Sequence, residues 1–442
     1  MQLPRVALAL WACIASACAP TSEVGPAGVP AELVPRLRAL VLDEDAAPRP
    51  DVTNAYADDP AAARLGQRLF FDTRFSGPLL DGDDNGNVGT LGVRGEAGRV
   101  SCAGCHIPTD HFVDTRSSRG VLSLAASWTR RRTPTLLDFG QSTLLMWDGR
   151  FDTGYEQLFG VVENPVEFNS SRLFVAQQML RFYRADYEAI FGPAPSIDGY
   201  AAVDPTLAGC TELPADPVHD RCVREGHEDP AVIRILVNMG KAITAYERLL
   251  RCGPSRFDAW MNGDESALND DERAGALVFV EHGCDHCHSG PTFSDGAFHN
   301  VGVPNLRPDF IEPYDDPGAA VGLATMLADP IGSGGAYSDG QDDRHAVLPA
   351  DLETLRGAFR TPGLRCIGGR PSYLHAGQLR SLADVIGFFD RGGGENGFQG
   401  VKDPRMVPLG LSADERRQLL AFLLALEGPG PRPELLAAPR ME

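Results

Sequence analysis

The sequence predicts a mainly α fold made of two copies of one unit, joined by long connections rich in glycine and proline. Three observations carry that expectation. Apolar residues recur at helical spacing in a series of segments, while strand-like alternation is scarce. A Cys-x-x-Cys-His motif occurs twice, as Cys102-Ala103-Gly104-Cys105-His106 and Cys284-Asp285-His286-Cys287-His288. The residues downstream of each motif repeat in register, and 48 glycines and 34 prolines supply the connections.

From the amino end, residues 1–18 read as an export signal. Arg5 gives a minimal positive start, the apolar run 6–17 is short for a bilayer, and Ala15-Ser16-Ala17-Cys18 resembles a lipoprotein cleavage box with Cys18 as lipid anchor. Ala15 stands where leucine is usual, so ordinary signal-peptidase cleavage is the alternative. Residues 19–59 form a tether and N-terminal extension. A first unit is expected over 60–265, opening with a helix at 60–71 on which Leu65, Leu69 and Phe70 share a face, and continuing through helices at 171–191 and 231–250. A second unit over 266–428 opens with a matching helix at 270–281 that leads into the second motif. Helices at 381–389 and 412–426 follow, the last with Ser412 as N-cap and Glu415 completing a capping box. Residues 429–442 are a tail.

At 442 residues the chain is long enough for two or three domains, and 43% hydrophobic with 23% charged residues is a globular composition. The net charge of -20 argues against nucleic acid as a partner and suits a basic redox partner. Beyond the signal, no segment is apolar enough to cross a membrane.

In a Cys-x-x-Cys-His motif two thiols can form thioethers with the vinyl groups of a haem while the adjacent imidazole ligates its iron. Cys102, Cys105 and His106, and again Cys284, Cys287 and His288, are therefore read as the attachment and axial-ligand residues of two covalently bound haems c. A zinc knuckle or a redox-active cysteine pair would use the same residue types, but neither needs a histidine directly after the second cysteine, twice over. Export agrees with this chemistry, since bacteria attach haem covalently outside the cytoplasm. The remaining cysteines of the mature chain, Cys210, Cys222, Cys252 and Cys366, are even in number. Cys210 and Cys222 flank one polar loop and are expected to pair, which leaves Cys252 with Cys366.

The repeat extends past the motifs. Thr133-Pro134-Thr135-Leu136 is followed, fourteen positions beyond Thr133, by Trp147-Asp148-Gly149-Arg150; Thr361-Pro362-Gly363-Leu364 is followed at the same distance by His375-Ala376-Gly377-Gln378. A further fourteen positions reach Val161 in one half and Phe389 in the other.

With these residues in view, the chain resembles the bacterial di-haem cytochrome c peroxidase and MauG superfamily from about Leu65 to Leu426. The likeness rests on LGQRLFFD at Leu65, both haem motifs, WDGR at Trp147, NPVE at Asn164, TPGLR at Thr361 and FDRGG at Phe389. It implies two cytochrome-c-like haem domains, a high-spin first haem that meets hydrogen peroxide and a second haem for electron transfer. By the same likeness His106 and His288 are the proximal ligands, Trp147 lies between the haems, Gln157 and Glu167 line the peroxide pocket, and His375 stands near the second haem. Chemistry adds that splitting an O–O bond needs a group that takes a proton from one oxygen and returns it to the other, which makes Glu167 the acid–base candidate. The plainer readings are a helix-start carboxylate for Glu167, a core aromatic for Trp147 and a hydrogen-bonding core histidine for His375.

Departures from the family pattern bear on function. Peroxide-reducing members carry a histidine that closes the first iron at rest, whereas Gly120-Val121-Leu122-Ser123 has none, so the first haem is expected to be open; His111 is too near His106 to reach the opposite face. Where the family places a methionine or tyrosine ligand on the second iron, Phe389 cannot ligate. Where it holds calcium between the haems, Arg132 and Arg370 replace asparagine and threonine. Two cations repel a third, so calcium is expected to be absent, with the arginines pairing haem propionates or acidic side chains. A separate run at 81–87 opens like a calcium loop but has Gly92 where the twelfth-position glutamate belongs, and is read as a solvated acidic loop. The expected function is an exported di-haem oxidoreductase using hydrogen peroxide, oxidising a side chain of a partner protein in the MauG manner. The alternatives are reduction of peroxide to water with a small cytochrome or copper protein as donor, and a non-enzymatic di-haem carrier or sensor.

Overall fold

The computed structural model describes residues 25–43, 48–81, 91–116, 122–214, 218, 220–305 and 315–439. The expectations for the export signal and Cys18, for most of the 81–87 run, and for Gly120 and Val121 lie outside them. The architecture is mainly helical. In chain order the α-helices are α1 (Val34–Arg38), α2 (Pro60–Phe70), the single turn α3 (Cys102–Cys105), α4 (Gly154–Val162), α5 (Arg172–Phe191), α6 (Pro230–Glu247), α7 (Arg256–Met261), α8 (Asp270–Glu281), α9 (Ala319–Ala328), α10 (Leu382–Asp390) and α11 (Ala413–Ala425). Among the described residues the only sheet is a two-residue antiparallel pair, β1 (Phe298–His299) with β2 (Phe359–Arg360).

Local chemistry sets the helix starts. Asp59 caps α2 by accepting from the Ala61 and Ala62 amides, with Pro60 in the first turn, and Asp229 and Pro230 repeat the device at α6. Ser171 caps α5; Asn269 with Glu272, and Ser412 with Glu415, form capping boxes at α8 and α11. Besides the short α1, α3 and α7, two longer helices, α4 and α9, were not expected. The α4 segment GYEQLFGVV and the α9 segment AAVGLATMLA are short and apolar nearly throughout, so no polar face marks their period.

Two close helix crossings, each at a glycine, organise the packing. A Cβ on Gly66 of α2 would stand 1.9 Å from the Ala242 carbonyl oxygen of α6, and one on Gly275 of α8 would stand 2.0 Å from the Gln418 carbonyl oxygen of α11. Around the first crossing, α4 buries Tyr155, Leu158, Phe159 and Val162 against α5 and α6. Around the second, Phe257, Phe279, Phe293 and Phe422 meet edge-on or tilted, with ring centroids 5.4 to 6.3 Å apart. Both expected disulfides are present. Cys210–Cys222 has a Cα–Cα distance of 5.6 Å, and Cys252–Cys366, at 6.0 Å, ties together segments 114 residues apart.

Gly66→Ala and Gly275→Ala are each expected to lower stability by about 1–3 kcal/mol in denaturant unfolding, because backbone on the facing helix has to move. Gly199→Ala, where a Cβ meets nothing within 4 Å, leaves stability unchanged.

Candidate active site

The first motif folds as one turn, α3, which puts Cys102 and Cys105 on one side and returns the His106 amide to the Cys102 carbonyl at 2.9 Å. His106 Nδ1 lies 3.1 Å from the Phe112 carbonyl oxygen, and the Pro134 carbonyl also faces the ring. The second motif repeats the construction: the His288 amide returns to the Cys284 carbonyl at 2.9 Å, His288 Nδ1 lies 2.9 Å from the Phe293 carbonyl oxygen, and Pro362 supplies the second carbonyl. Phe112 and Phe293 hold left-handed backbone, at φ 57 and 55, which aims each carbonyl back at its imidazole. Engaging Nδ1 in this way leaves Nε2 as the nitrogen for iron. Burial pulls the His106 pKa down to about 4 and lowers that of His288, so both rings are neutral, the form that ligates. Burial also pushes the Cys105 and Cys284 thiols up to about 12. A redox-active pair works through a thiol shifted the opposite way, so burial of these thiols does not favour that reading.

The first motif opens on a cavity of ≈ 370 Å³ that Trp147, Gln157, Val161 and Glu167 also line. Gln157 and Val161 are one turn apart on α4, whose N-cap Thr153 accepts from the Glu156 amide. Glu167 sits in the turn that follows, not at a helix start: its amide bonds the Asn164 carbonyl at 3.1 Å, and Asn164 Nδ2 donates to its Oε1 at 2.9 Å. Burial raises the pKa of Glu167, opposed by the charges of Arg150 and Arg221. Among the described residues His106 is the only histidine lining this cavity. His111 instead faces Glu427, with Nε2 to Oε1 at 3.2 Å.

Trp147 marks the junction of the halves. Its Nε1 donates to the Arg132 carbonyl at 2.7 Å, its own carbonyl accepts from the Arg360 amide at 2.8 Å, and the Arg132 amide donates to the His375 carbonyl at 2.8 Å. Trp147 and His375 occupy matching turns. Met146 and Leu374 precede them at φ 68 and 69, Gly149 and Gly377 follow at φ 73 and 69, and bridges close the turns at Leu145–Phe151 and Tyr373–Leu379. His375 stacks on Phe359 with centroids 3.6 Å apart, and burial holds its pKa near 4. Neither His375, nor Cys284, Cys287 and His288, nor Phe389 lines the cavity of the first motif. Phe389 is half-buried on α10, its ring 5.4 Å from that of Phe388.

Arg132 and Arg370 are buried, both line the cavity, and Arg132 Nε and Nη2 and Arg370 Nε have no hydrogen-bond partner. Burial lowers their pKa values to about 9 and about 10, with Arg370 adding repulsion at Arg132. Paired buried cations call for anions. Two thiols, an imidazole and two such guanidiniums around one cavity fit a covalently held haem with its propionates. Sequence reasoning missed three groups: Arg150 and Glu247 on the cavity, the latter a buried carboxyl of α6 pushed up to about 8, and Arg221, which does not line the cavity but whose charge acts on Glu167. Only Arg150 lay in a motif, WDGR; the other two reach the site through long-range folding.

Residues 60–266 match the profile of the di-haem cytochrome c peroxidase family. Over those residues the chain is a member of this family. It is 27% identical over 435 residues to the methylamine utilization protein MauG of Methylorubrum extorquens, covering 96% of each chain, and 29% identical over 413 residues to the cytochrome-c peroxidase IdrP2 of Pseudomonas sp. strain SCT, covering 92% of each. Its fold is shared by the diheme peroxidase BthA from Burkholderia thailandensis, with a TM-score of 0.59 at 21% identity over 87% of this chain and 89% of that one. A MauG-like protein associated with microbial copper homeostasis scores 0.58 at 22% identity, over 90% and 97%. The chain is thus a di-haem peroxidase, an oxidoreductase of c-type cytochrome chemistry.

Mass spectrometry of the denatured di-haem peroxidase is expected to find two haems bound to the chain. Cys102→Ala with Cys105→Ala removes one of them, and Cys284→Ala with Cys287→Ala removes the other.

Proposed function

We propose that this di-haem peroxidase is an exported MauG-like oxidase, which takes hydrogen peroxide at the first haem site and draws electrons through the second from a side chain of a partner protein. The observation that carries the reading is Glu167: a carboxyl of raised proton affinity facing the cavity of the first motif. Bound haem supplies the iron at which the O–O bond breaks and through which electrons pass. Glu167 accepts the proton from the peroxide oxygen that remains and delivers it to the oxygen that leaves as water. Gln157, on the same cavity, orients the peroxide with its amide. Trp147, fixed by the Arg132 carbonyl, is the aromatic link towards the second half.

Several features support the finer points. The repeated histidine–carbonyl pairs and matching turns favour two haem units at 60–265 and 266–428, with His375 at the second in the place Trp147 holds at the first. The sequence Gly120-Val121-Leu122-Ser123, which has no histidine, favours a first site open at rest. Phe389 leaves the second site without a ligand from the family's usual position. Arg132 and Arg370 stand for calcium, their charge meeting propionates directly. The similarity to MauG over nearly the whole chain favours oxidation of a protein substrate, and export with a lipid anchor at Cys18 belongs to the same reading. The similarity to cytochrome-c peroxidases at 29% identity supports the second reading, reduction of peroxide to water by a small donor protein. A mere carrier has no use for Glu167 and Gln157.

Peroxide added to the diferric protein is expected to shift the Soret band without prior reduction, and Glu167→Gln to slow that reaction by about 10²–10⁴-fold. Because burial raises the Glu167 pKa, the wild-type rate falls as pH drops through a limb above the ordinary glutamate range, where the carboxyl holds its proton and cannot accept another. A requirement for one-electron reduction favours the cytochrome c peroxidase reading; no response favours the carrier. Electron paramagnetic resonance is expected to show two high-spin ferric haems, unchanged by a calcium chelator. A low-spin His/Met or His/Tyr signal at the second haem rejects the Phe389 reading, and a chelator-induced change rejects the calcium-free one.

A further inference from the structure

We propose that the Cys252–Cys366 bridge closes a latent zinc site: once a dithiol reductant opens it, the two freed thiols join His111 and Glu427 as the four donors for one Zn²⁺. His111 Nε2 and Glu427 Oε1 lie 3.2 Å apart, and one donor atom each of His111, Cys366 and Glu427 falls within 4.8 Å of the others. Cys252, bonded to Cys366, supplies the second sulfur. Four donors drawn from thiolate, imidazole and carboxylate are a tetrahedral set that zinc takes, with bonds of about 2.0–2.3 Å that put neighbouring donors about 3–4 Å apart. The histidine and the carboxylate already stand at that spacing. Their side chains are 31% and 44% exposed, so an ion can enter from their side while both sulfurs stay buried. The other such cluster among the described residues, Cys287 with Asp295 and His299, depends on a sulfur that haem attachment consumes.

The donors stay gathered without the bridge. The His111 carbonyl accepts from Thr135 Oγ1 at 2.6 Å, which fixes the left-handed turn, φ 55, that presents the imidazole. The Cys366 amide donates to the Leu426 carbonyl at 3.3 Å, one residue before Glu427, and the Gly253 amide, one residue after Cys252, donates to the Pro429 carbonyl at 2.8 Å. A Cβ on Gly428 would stand 2.1 Å from the Gly253 carbonyl oxygen, so these two segments pass in direct contact. Backbone contacts therefore hold Cys252, Cys366 and Glu427 near one another when the bond between the sulfurs is gone. Charge is matched as well. Two thiolates and one carboxylate exceed the charge of Zn²⁺ by one, and Arg370, whose Nη2 donates to the Cys366 carbonyl at 3.2 Å, is the cation beside them. The dithiol gives the bridge two electrons and two protons and leaves as its own disulfide; Zn²⁺ then displaces the two thiol protons.

Holoprotein treated with dithiothreitol, desalted without air and titrated with zinc chloride is expected to keep one equivalent of zinc beyond that kept by the untreated protein. X-ray absorption at the zinc edge then counts two sulfurs and two nitrogen or oxygen neighbours. His111→Ala and Glu427→Gln each raise the zinc Kd by more than about 10-fold, the lower end of the loss expected when even a supporting partner of a metal ligand is removed. Both leave the peroxide-induced Soret change of the oxidised protein as in wild type. Cys366→Ser abolishes the two-sulfur site; should it fail to fold, the His111 and Glu427 variants, which keep the bridge, decide. Zinc also slows re-closure of the bridge by oxidised glutathione in the wild type and not in His111→Ala. Reduced protein that keeps no extra zinc overturns the proposal, as do fewer than two sulfurs at the metal. A two-sulfur site whose Kd neither variant moves overturns it too, because the metal then sits on the thiols of Cys210 and Cys222.

Discussion

The peptide of Arg132 carries the contact on which the two halves depend. Its amide donates to the His375 carbonyl and its carbonyl accepts from the Trp147 indole, so one backbone unit fixes corresponding turns of both halves at once. Such hydrogen bonds are individually modest, but where the groups are buried the cost of leaving either one unmade is larger than the bond's net gain. The same residue sends its guanidinium into the shared cavity, facing Arg370 from the other half. Geometry and charge at the junction therefore cannot be changed separately. The buried Arg131, bonded to Asp316 at 2.6 Å and to Asp148 at 2.6 Å, reinforces the same seam one residue earlier.

The electrostatics of the cavity run against those of the whole chain. The protein is strongly acidic, yet Arg132, Arg150 and Arg370 converge on the cavity, with Arg221 behind Glu167. Burial in low dielectric makes each of these charges count for more than its surface counterparts. The enclosed carboxyls respond in different degrees: Glu247, whose shift has no cause but burial, reaches about 8, while Glu167 is pulled back by two arginines. One cavity thus holds two acids with different tasks open to them. The difference comes from neighbours rather than from depth.

Much of the fold was legible because its helices announce themselves. Asp59-Pro60, Asp229-Pro230, Ser171, Asn269 with Glu272, and Ser412 with Glu415 are start signals whose chemistry is local, and each begins a helix where expected. Helices α4 and α9 lack any polar stripe, so their period is invisible until the surrounding core is known. At the site, the motif residues could be read from spacing, since thioether and imidazole ligation demands that arrangement. Gln157 and Glu167 came from resemblance, and the fold does bring both to the cavity of the first motif. Arg221 and Glu247 could not be read at all. Each reaches the site from a remote segment, and no periodicity or motif records a distance across the fold.

The Cys252–Cys366 bridge packs in the same apolar cluster as Cys102, the first cysteine of the first Cys-x-x-Cys-His motif. Before the cofactor is attached this is a hazardous neighbour, because a thiolate beside a disulfide exchanges with it and scrambles the pairing. Burial answers the hazard: it holds the Cys102 sulfur as a protonated thiol far above its usual range, so attack on the bridge is starved of the reactive species. Packing around a single sulfur atom thus keeps a thiol and a disulfide that share one cluster chemically apart.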